Sequence, residues 1–181
     1  NLIEAHASVR PITDVLVWGR DPVKAQAVAD QAASLGIAIT VASDLAEAAG
    51  RADIISCCTL SEQPLIHGAW LKAGVHLDLV GAFKPSMRET DDAAIHRARL
   101  FVDTRAGALA EGGDLIQPIR AGLISAADIV ADLAELVAGR SEGRRRDSEI
   151  TLFKSVGASI EDLAGAIFAL ERITYKASEE L

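Results

Sequence analysis

Aromatic residues are scarce: four Phe, two Trp and one Tyr make 4% of 181 residues, while hydrophobic residues make 50%. An interior so poor in rings is filled by Ala, Val, Leu and Ile, as where helices pack on a parallel sheet, and this disfavours a β-sandwich. Cysteine is nearly absent. Cys57 and Cys58 are adjacent in an apolar run, which excludes a disulfide framework and reads as reduced core residues in a reducing cytoplasm. His6, His67, His76 and His96 show no paired metal spacing, so no metal is expected. Basic charge is in deficit as well: 18 Lys and Arg against 26 Asp and Glu give a net charge of −8. That leaves no broad basic face and argues against nucleic-acid or anionic-membrane partners. No apolar run approaches the roughly 18 residues that span a bilayer, and residue 1 is not followed by a basic-then-apolar export signal. These absences predict a cytoplasmic protein that handles small molecules, with a length suited to one large domain.

What is present is an alternation of short apolar runs and helical segments. Strands are expected at residues 14–18, 37–41, 53–57, 76–80 and 99–103, each a brief apolar run. Between them, Asp21 and Pro22 suit the start of a helix whose Val23, Ala27, Val28 and Ala32 share an inward face, and Gly36 ends it. Asp44-Leu45-Ala46-Glu47 has capping-box spacing. Such alternation implies right-handed crossovers and an α/β fold of Rossmann type, a doubly wound parallel sheet flanked by helices. Beyond residue 103, glycines interrupt short helical pieces before a firmer helix at 126–137. Residues 139–147 combine glycine with charge and read as a solvated loop. Residues 150–153 are a last strand-like run, and a long helix from Ser159 carries an apolar stripe of Ile160, Leu163, Ala164, Ile167, Leu170 and Ile173.

One part of this pattern is missing. A dinucleotide-binding domain normally opens with a strand, a glycine-rich turn and a helix that hold the pyrophosphate, and none of these precedes the run at 14–18. If that run is second in the sheet and 53–57 is fourth, the central strand between them is absent from these residues. An open slot would leave backbone groups unpaired at about 1–3 kcal/mol each. The expectation is therefore a C-terminal piece of a longer chain.

The loop Gly81-Ala82-Phe83-Lys84-Pro85-Ser86-Met87-Arg88-Glu89 follows an apolar strand and precedes an acidic helix start. Ligands of open α/β sheets collect at the carboxyl ends of strands, so this loop is expected to face one.

Six segments in register resemble the ornithine cyclodeaminase and mu-crystallin family: Val17-Trp18-Gly19-Arg20; Cys58-Thr59-Leu60 with Pro64-Leu65; Val80 through Pro85 with Arg88-Glu89; Phe101-Val102-Asp103; Ala108-Leu109-Ala110-Glu111 with Gly113-Asp114; and Phe153 through Gly157 with Glu161-Asp162. The resemblance implies an NAD(P)-binding Rossmann domain over residues 1–138, incomplete at its start, with a glycine-rich appendage from about 104. Residues 139–181 would form a loop, a last strand and a helix returning toward a dimerising, substrate-clamping domain upstream. It also implies a homodimer and a small imino or amino acid substrate.

Two positions discriminate among family activities. Where NAD enzymes carry an acidic residue for the ribose, this chain has Gly19-Arg20; a guanidinium pairs with a 2′-phosphate, Lys24 could assist, and NADP(H) is favoured over NAD(H). The alternative leaves Arg20 solvated and gives the ribose to Asp21. Where family cyclodeaminases carry an aspartate in the loop, this chain has Phe83, and a phenyl ring cannot shuttle protons. The family match would set Thr59 and Leu60 by the adenosine or linking phosphates, Val80 and Gly81 near the nicotinamide ribose, and Ser155 close to the nicotinamide. Phe83 would wall the substrate, and Lys84, Arg88, Glu111 and Asp114 are candidates to reach it. The reaction implied is NADPH-dependent reduction of a small cyclic ketimine of the pyrroline-2-carboxylate or piperideine-2-carboxylate type. The alternatives are conversion of ornithine to proline and ammonia with recycled NAD, imine reduction by a family alanine dehydrogenase, and non-catalytic nucleotide binding.

Overall fold

Side-chain caps punctuate the chain in the computed structural model, which describes residues 1–179, with side chains through residue 172. Helices α1 (Leu2–Val9), α2 (Pro22–Ala32), α3 (Leu45–Arg51) and α4 (Asp92–Arg97) alternate with strands β1 (Asp14–Val17), β2 (Ala38–Val41), β3 (Ile54–Cys57) and β4 (His76–Leu79). Then come β5 (Ala98–Val102), α5 (Arg105–Glu111), α6 (Gly113–Arg120), β6 (Ile129–Asp132), α7 (Leu133–Val137), β7 (Ile150–Lys154) and α8 (Ser159–Glu179). Asp21, Asp44, Asp91, Thr104 and Asp132 each accept a first-turn amide of the helix they precede, satisfying donors that lack an intrahelical partner. The box expected at Asp44 is half formed, because Glu47 pairs with Arg51 at 3.6 Å.

All ladders are parallel. Five strands run in the order β3-β4-β7-β5-β6, and β1 pairs with β2 in a separate two-stranded sheet. Among the described residues no ladder joins β1 to β3. β7 lies between β4 and β5, which completes the middle of the sheet from the far end of the chain.

Strand periodicity divides the sheet into two unlike faces. Ile55, Cys57, Leu77, Leu79, Leu100, Val102 and Leu152 point into one core with Ala94 and Ile95 of α4, Ala108 of α5 and Leu115 of α6. Each fully buried Leu or Ile there contributes about 1.5–3 kcal/mol relative to exposure. On the other face Asp78 accepts from Ser56 and lies 2.9 Å from His6 Nε2, which fastens α1 to β4. His76 Nδ1 lies 2.8 Å from Thr151 Oγ1, which also takes a bond from Arg144. Burial holds the His76 imidazole below its ordinary pKa.

Three readings need correction: the helix at 126–137, the inward face of α2 and the burial of Cys58. The helix expected at 126–137 is a 3-10 turn (Ala126–Asp128), then β6 and α7. Ile129 and Ala131 alternate inward, pairing with β5 overrides local helix propensity, and Asp132 caps a new helix from an extended backbone. The inward face of α2 is Ala25 and Ala29, whereas Val23 and Val28 are exposed. The α8 stripe is exposed at Ile160, Leu163, Ala164, Ile167 and Leu170; Ile173 lies outside the described side chains. Cys58 is exposed and only Cys57 is core. Among the described residues no helix is long and apolar enough to cross a membrane.

Asp91 ties α4 to the preceding turn: Oδ1 accepts from Gly68 and Ala94 amides at 2.8 Å each, and Oδ2 lies 3.0 Å from His67 Nδ1. Partial desolvation opposes these bonds, and they prevail, so the carboxyl titrates below its ordinary value. Replacing Asp91 by Ala leaves both amides without this acceptor and is expected to cost about 1–3 kcal/mol, read as a lower Tm. Because the folded pKa is depressed, this contribution is present above the ordinary carboxyl range and is lost as pH falls through the folded value. An Asp91→Ala chain is therefore expected to lose its deficit relative to wild type in acid.

Candidate functional site

Parallel register sets Cys57, Leu79, Lys154 and Val102 level across β3, β4, β7 and β5. The residues that follow, Cys58-Thr59, Val80-Gly81, Ser155 and Asp103, form a rim at the carboxyl ends, where open α/β sheets bind ligands. The loop after β4 stands on that rim. Its crest, Phe83, Lys84, Pro85 and Ser86, is exposed, whereas Gly81, Ala82, Met87, Glu89 and Thr90 are buried.

The crest is braced mainly through its flanks, Ala82, Met87 and Arg88, and through the Pro85 carbonyl. The Ala82 carbonyl accepts from Gly113 N at 3.0 Å and the Met87 amide donates to Lys84 O. Gln117 Nε2 donates to the Pro85 and Met87 carbonyls, and the Arg88 amide donates to Ser61 O. Two glycines allow this closeness: a Cβ on Gly81 would lie 2.2 Å from Glu89 Oε1 and from Thr59 O, and one on Gly113 would lie 2.0 Å from Met87 O. Ala82 takes a left-handed φ of 48°, uncommon for a residue with a Cβ.

Under the crest lies an ionic floor. Asp114, fully buried, accepts through Oδ1 from the Glu89 and Thr90 amides at 2.8 and 2.9 Å and from Thr90 Oγ1 at 3.1 Å. Lys154, also fully buried, donates to Leu79 O at 3.2 Å and to Gly81 O, and its Nζ lies 3.7 Å from Asp114 Oδ2. Glu89 Oε1 accepts from Thr59 N at 2.6 Å, while Oε2 is buried with no hydrogen-bond partner among the described residues. Burial raises the Glu89 pKa and lowers that of Lys154, against the pull of Asp114 and Glu89 on the lysine. Desolvation, near complete at Cys57 and only partial at the exposed Cys58, and then the Glu89 charge push both thiols up, so neither is a thiolate at neutral pH.

The residues singled out from sequence fall into distinct places. Thr59 is half-buried, its amide held by Glu89; Leu60 is exposed, Val80 half-buried and Gly81 buried. Ser155 donates to Asp103 Oδ2, which also accepts from Val156 and Gly157 amides at 2.7 and 2.8 Å and so shapes the turn after β7. Arg88 is committed to Thr90 O and the Asp92 carboxylate. Lys84 is exposed, its ammonium 5.9 Å from the Phe83 ring centroid. Glu111 is exposed at the end of α5. Asp114 grips loop amides from below rather than capping its own helix. After β1, Arg20 and Lys24 are exposed and make no ion pair among the described residues, and Asp21 is occupied with the Val23 and Lys24 amides.

Sequence reasoning gave Lys154, Glu89 and Asp103 no role. A signal existed for Lys154: two residues beyond Leu152 in a strand, it shares the core face, where an ionisable group needs a partner. A recess of about 690 Å³ opens at the other end of β5 and β7, lined in part by Arg97, Arg99, Asp128, Arg145 and Glu149. It includes part of the expected solvated loop's edge and lies away from the rim.

A doubly wound parallel sheet with a loop platform at its carboxyl ends defines a Rossmann-type α/β domain. The family model described as ornithine cyclodeaminase/mu-crystallin matches residues 2–177, and the chain belongs to that family. A Delta(1)-pyrroline-2-carboxylate reductase of Paracoccus denitrificans is 43% identical over 164 residues, covering 90% of this chain and 52% of that protein. The structure of Thermococcus litoralis Delta(1)-pyrroline-2-carboxylate reductase in complex with NADH and L-proline matches with a TM-score of 0.94 and 37% identity, over 97% of this chain and 55% of that one. The iminosuccinate reductase of Paracoccus denitrificans in complex with NAD+ matches with a TM-score of 0.88 and 31% identity, over 97% and 53% of the two chains. The chain thus spans about half the length of the curated relatives it matches.

The tight seat of Gly113 can be tested directly. Gly113→Ala is expected to destabilise by about 1–3 kcal/mol, because its Cβ must displace the Met87 carbonyl. Gly143→Ala, with no heavy atom within 4 Å of its Cβ, is expected to stay within about 0.5 kcal/mol of wild type in the same denaturant titration.

Proposed function

We propose that this chain is the cofactor-binding part of an NADPH-dependent reductase of small cyclic ketimines, of the pyrroline-2-carboxylate or piperideine-2-carboxylate type. The observation that carries this reading is the makeup of the crest. Phe83 is its exposed ring, and the loop's own acid, Glu89, is fully buried beneath it. A cyclodeaminase needs a carboxylate within hydrogen-bond reach of the reacting carbon, and this loop offers none at its surface. Imine reduction asks less of the loop: an apolar wall beside the C=N bond, with position and charge supplied by the protein.

The residues present fit a nicotinamide dinucleotide. Val80 and Gly81 would lie along its nicotinamide ribose, and Ser155, held by Asp103, would stand by the ring. Thr59 and Leu60 would flank the linking phosphates or adenosine. When bound, the nicotinamide supplies the hydride that reduces the C=N carbon. The solved relatives hold NADH or NAD+; the preference for NADPH is read from Arg20, beyond β1, and Lys24, in the first turn of α2, exposed cations that make no ion pair among the described residues. The exposed apolar side chains of α8, with Val23 and Val28 of α2, are read as surfaces that meet the remainder of a protein of the relatives' length. On this reading the groups that clamp the substrate carboxylate, and the homodimer contacts, lie there too.

The test is NADPH oxidation with pyrroline-2-carboxylate by the full chain, meaning a protein of the relatives' length that contains these 181 residues, with NADH in parallel and an ammonia assay on ornithine. Turnover with NADPH and no ammonia is expected; ammonia and proline from ornithine without net NADPH loss would overturn the reading. Arg20→Ala is expected to raise KM for NADPH roughly 10- to 100-fold, the loss of one charge-assisted bond of about 1.5–3 kcal/mol, and to leave KM for NADH within about threefold.

A further inference from the structure

The floor beneath the crest is charged at a place where the same sheet face is otherwise apolar. Lys154 sits between Leu79 and Val102 in register and is fully buried. Removing an ammonium and two carboxylates from water is costly, and an apolar side chain of similar length would fill such a position without that cost. What an apolar side chain cannot do is donate hydrogen bonds. Lys154 uses its donors on the carbonyls of Leu79 and Gly81, the residues on either side of Val80, immediately before the left-handed turn at Ala82. Asp114 completes the link, since the carboxylate that faces Lys154 also holds the Glu89 and Thr90 amides at the far end of the loop. One ion pair therefore fastens both ends of the crest.

We propose that Lys154 is a positioning residue for this site: through Asp114 and the Leu79 and Gly81 carbonyls it fixes the backbone of residues 79–90, so that Phe83 stands at the rim. The claim about geometry stands on the fold alone, whereas its consequence for turnover rests on the reductase reading above. Lys154 touches neither substrate nor cofactor in this account; it acts through the loop. Burial of the ammonium and of Glu89 keeps the device out of contact with water, so that exposed side chains of the crest can vary without disturbing it.

The experiment uses the full chain with the paired substitution Lys154→Met and Asp114→Asn. The pair removes the ammonium together with the carboxylate that faces it, Glu89 keeps the Thr59 amide, and Asn keeps an oxygen for the Glu89 and Thr90 amides. Amide hydrogen exchange is followed without ligand, kcat and KM are measured with pyrroline-2-carboxylate, and NADPH affinity is read from nucleotide fluorescence. The expected result is a folded protein in which amides of residues 79–90 exchange at least about tenfold faster while β5 and β6 are unchanged. kcat is expected to fall at least about tenfold, with NADPH affinity within about threefold. A folded double variant with wild-type exchange over 79–90 and wild-type kcat would overturn the proposal. So would a wild-type chain whose 81–90 amides exchange far faster than β4 and β7, a result that needs no variant to fold. Absence of turnover in wild type would refute the reductase reading alone and leave the exchange measurement decisive for Lys154.

Discussion

A buried ammonium has to be answered, and the answer given to Lys154 organises the working end of this molecule. Its carboxylate partner comes from α6 and its carbonyl partners from the end of β4, so strand, helix and loop meet at one atom. The Glu89 carboxylate extends the arrangement to the end of β3 through the Thr59 amide. Strand ends that would otherwise be separate loops thus share one braced floor. The close approach of backbones at Gly81 and Gly113 follows from this, since the ions and carbonyls leave no room there for a Cβ.

The sheet beneath supplies the alignment. Four parallel strands end at the same level only because β7, formed far along the chain, inserts between β4 and β5. Parallel pairing of strands distant in sequence is entropically demanding, and the core face repays it with Leu77, Leu79, Leu100, Val102 and Leu152 packed against α4, α5 and α6. The opposite face is held differently, by His6, Asp78 and Ser56 and by His76, Thr151 and Arg144.

Much of this was legible from sequence where a physical rule is local. Short apolar runs marked β1 to β5, and Asp21, Asp44 and Asp91 marked helix starts, because strand burial and capping are decided by a few neighbouring residues. What was not legible depended on distant partners. Residues 126–137 carry helical propensity throughout, and only the β5 edge makes Ile129–Asp132 a strand. The α2 face was misread because Val23 and Val28 are the larger apolar residues, yet small Ala25 and Ala29 are the ones buried. At the site, Asp114 was noticed and its function was not, since the amides it holds lie 24 and 25 residues away. Lys154 and Glu89 passed without a role because nothing local in sequence distinguishes a buried ion pair from two solvated charges.

Under the proposed function a dinucleotide would lie along the rim, from Arg20 beyond β1 to the braced crest beyond β4, on a platform formed before it binds. The most direct measurement is a crystal structure of the full chain with and without NADP(H). The account requires the 2′-phosphate within hydrogen-bond reach of Arg20 or Lys24, the nicotinamide beside Val80, Gly81 and Ser155, and the same 79–90 backbone in both states. A nucleotide seated elsewhere, or a crest that refolds around it with Lys154 released from the Gly81 carbonyl, would contradict it.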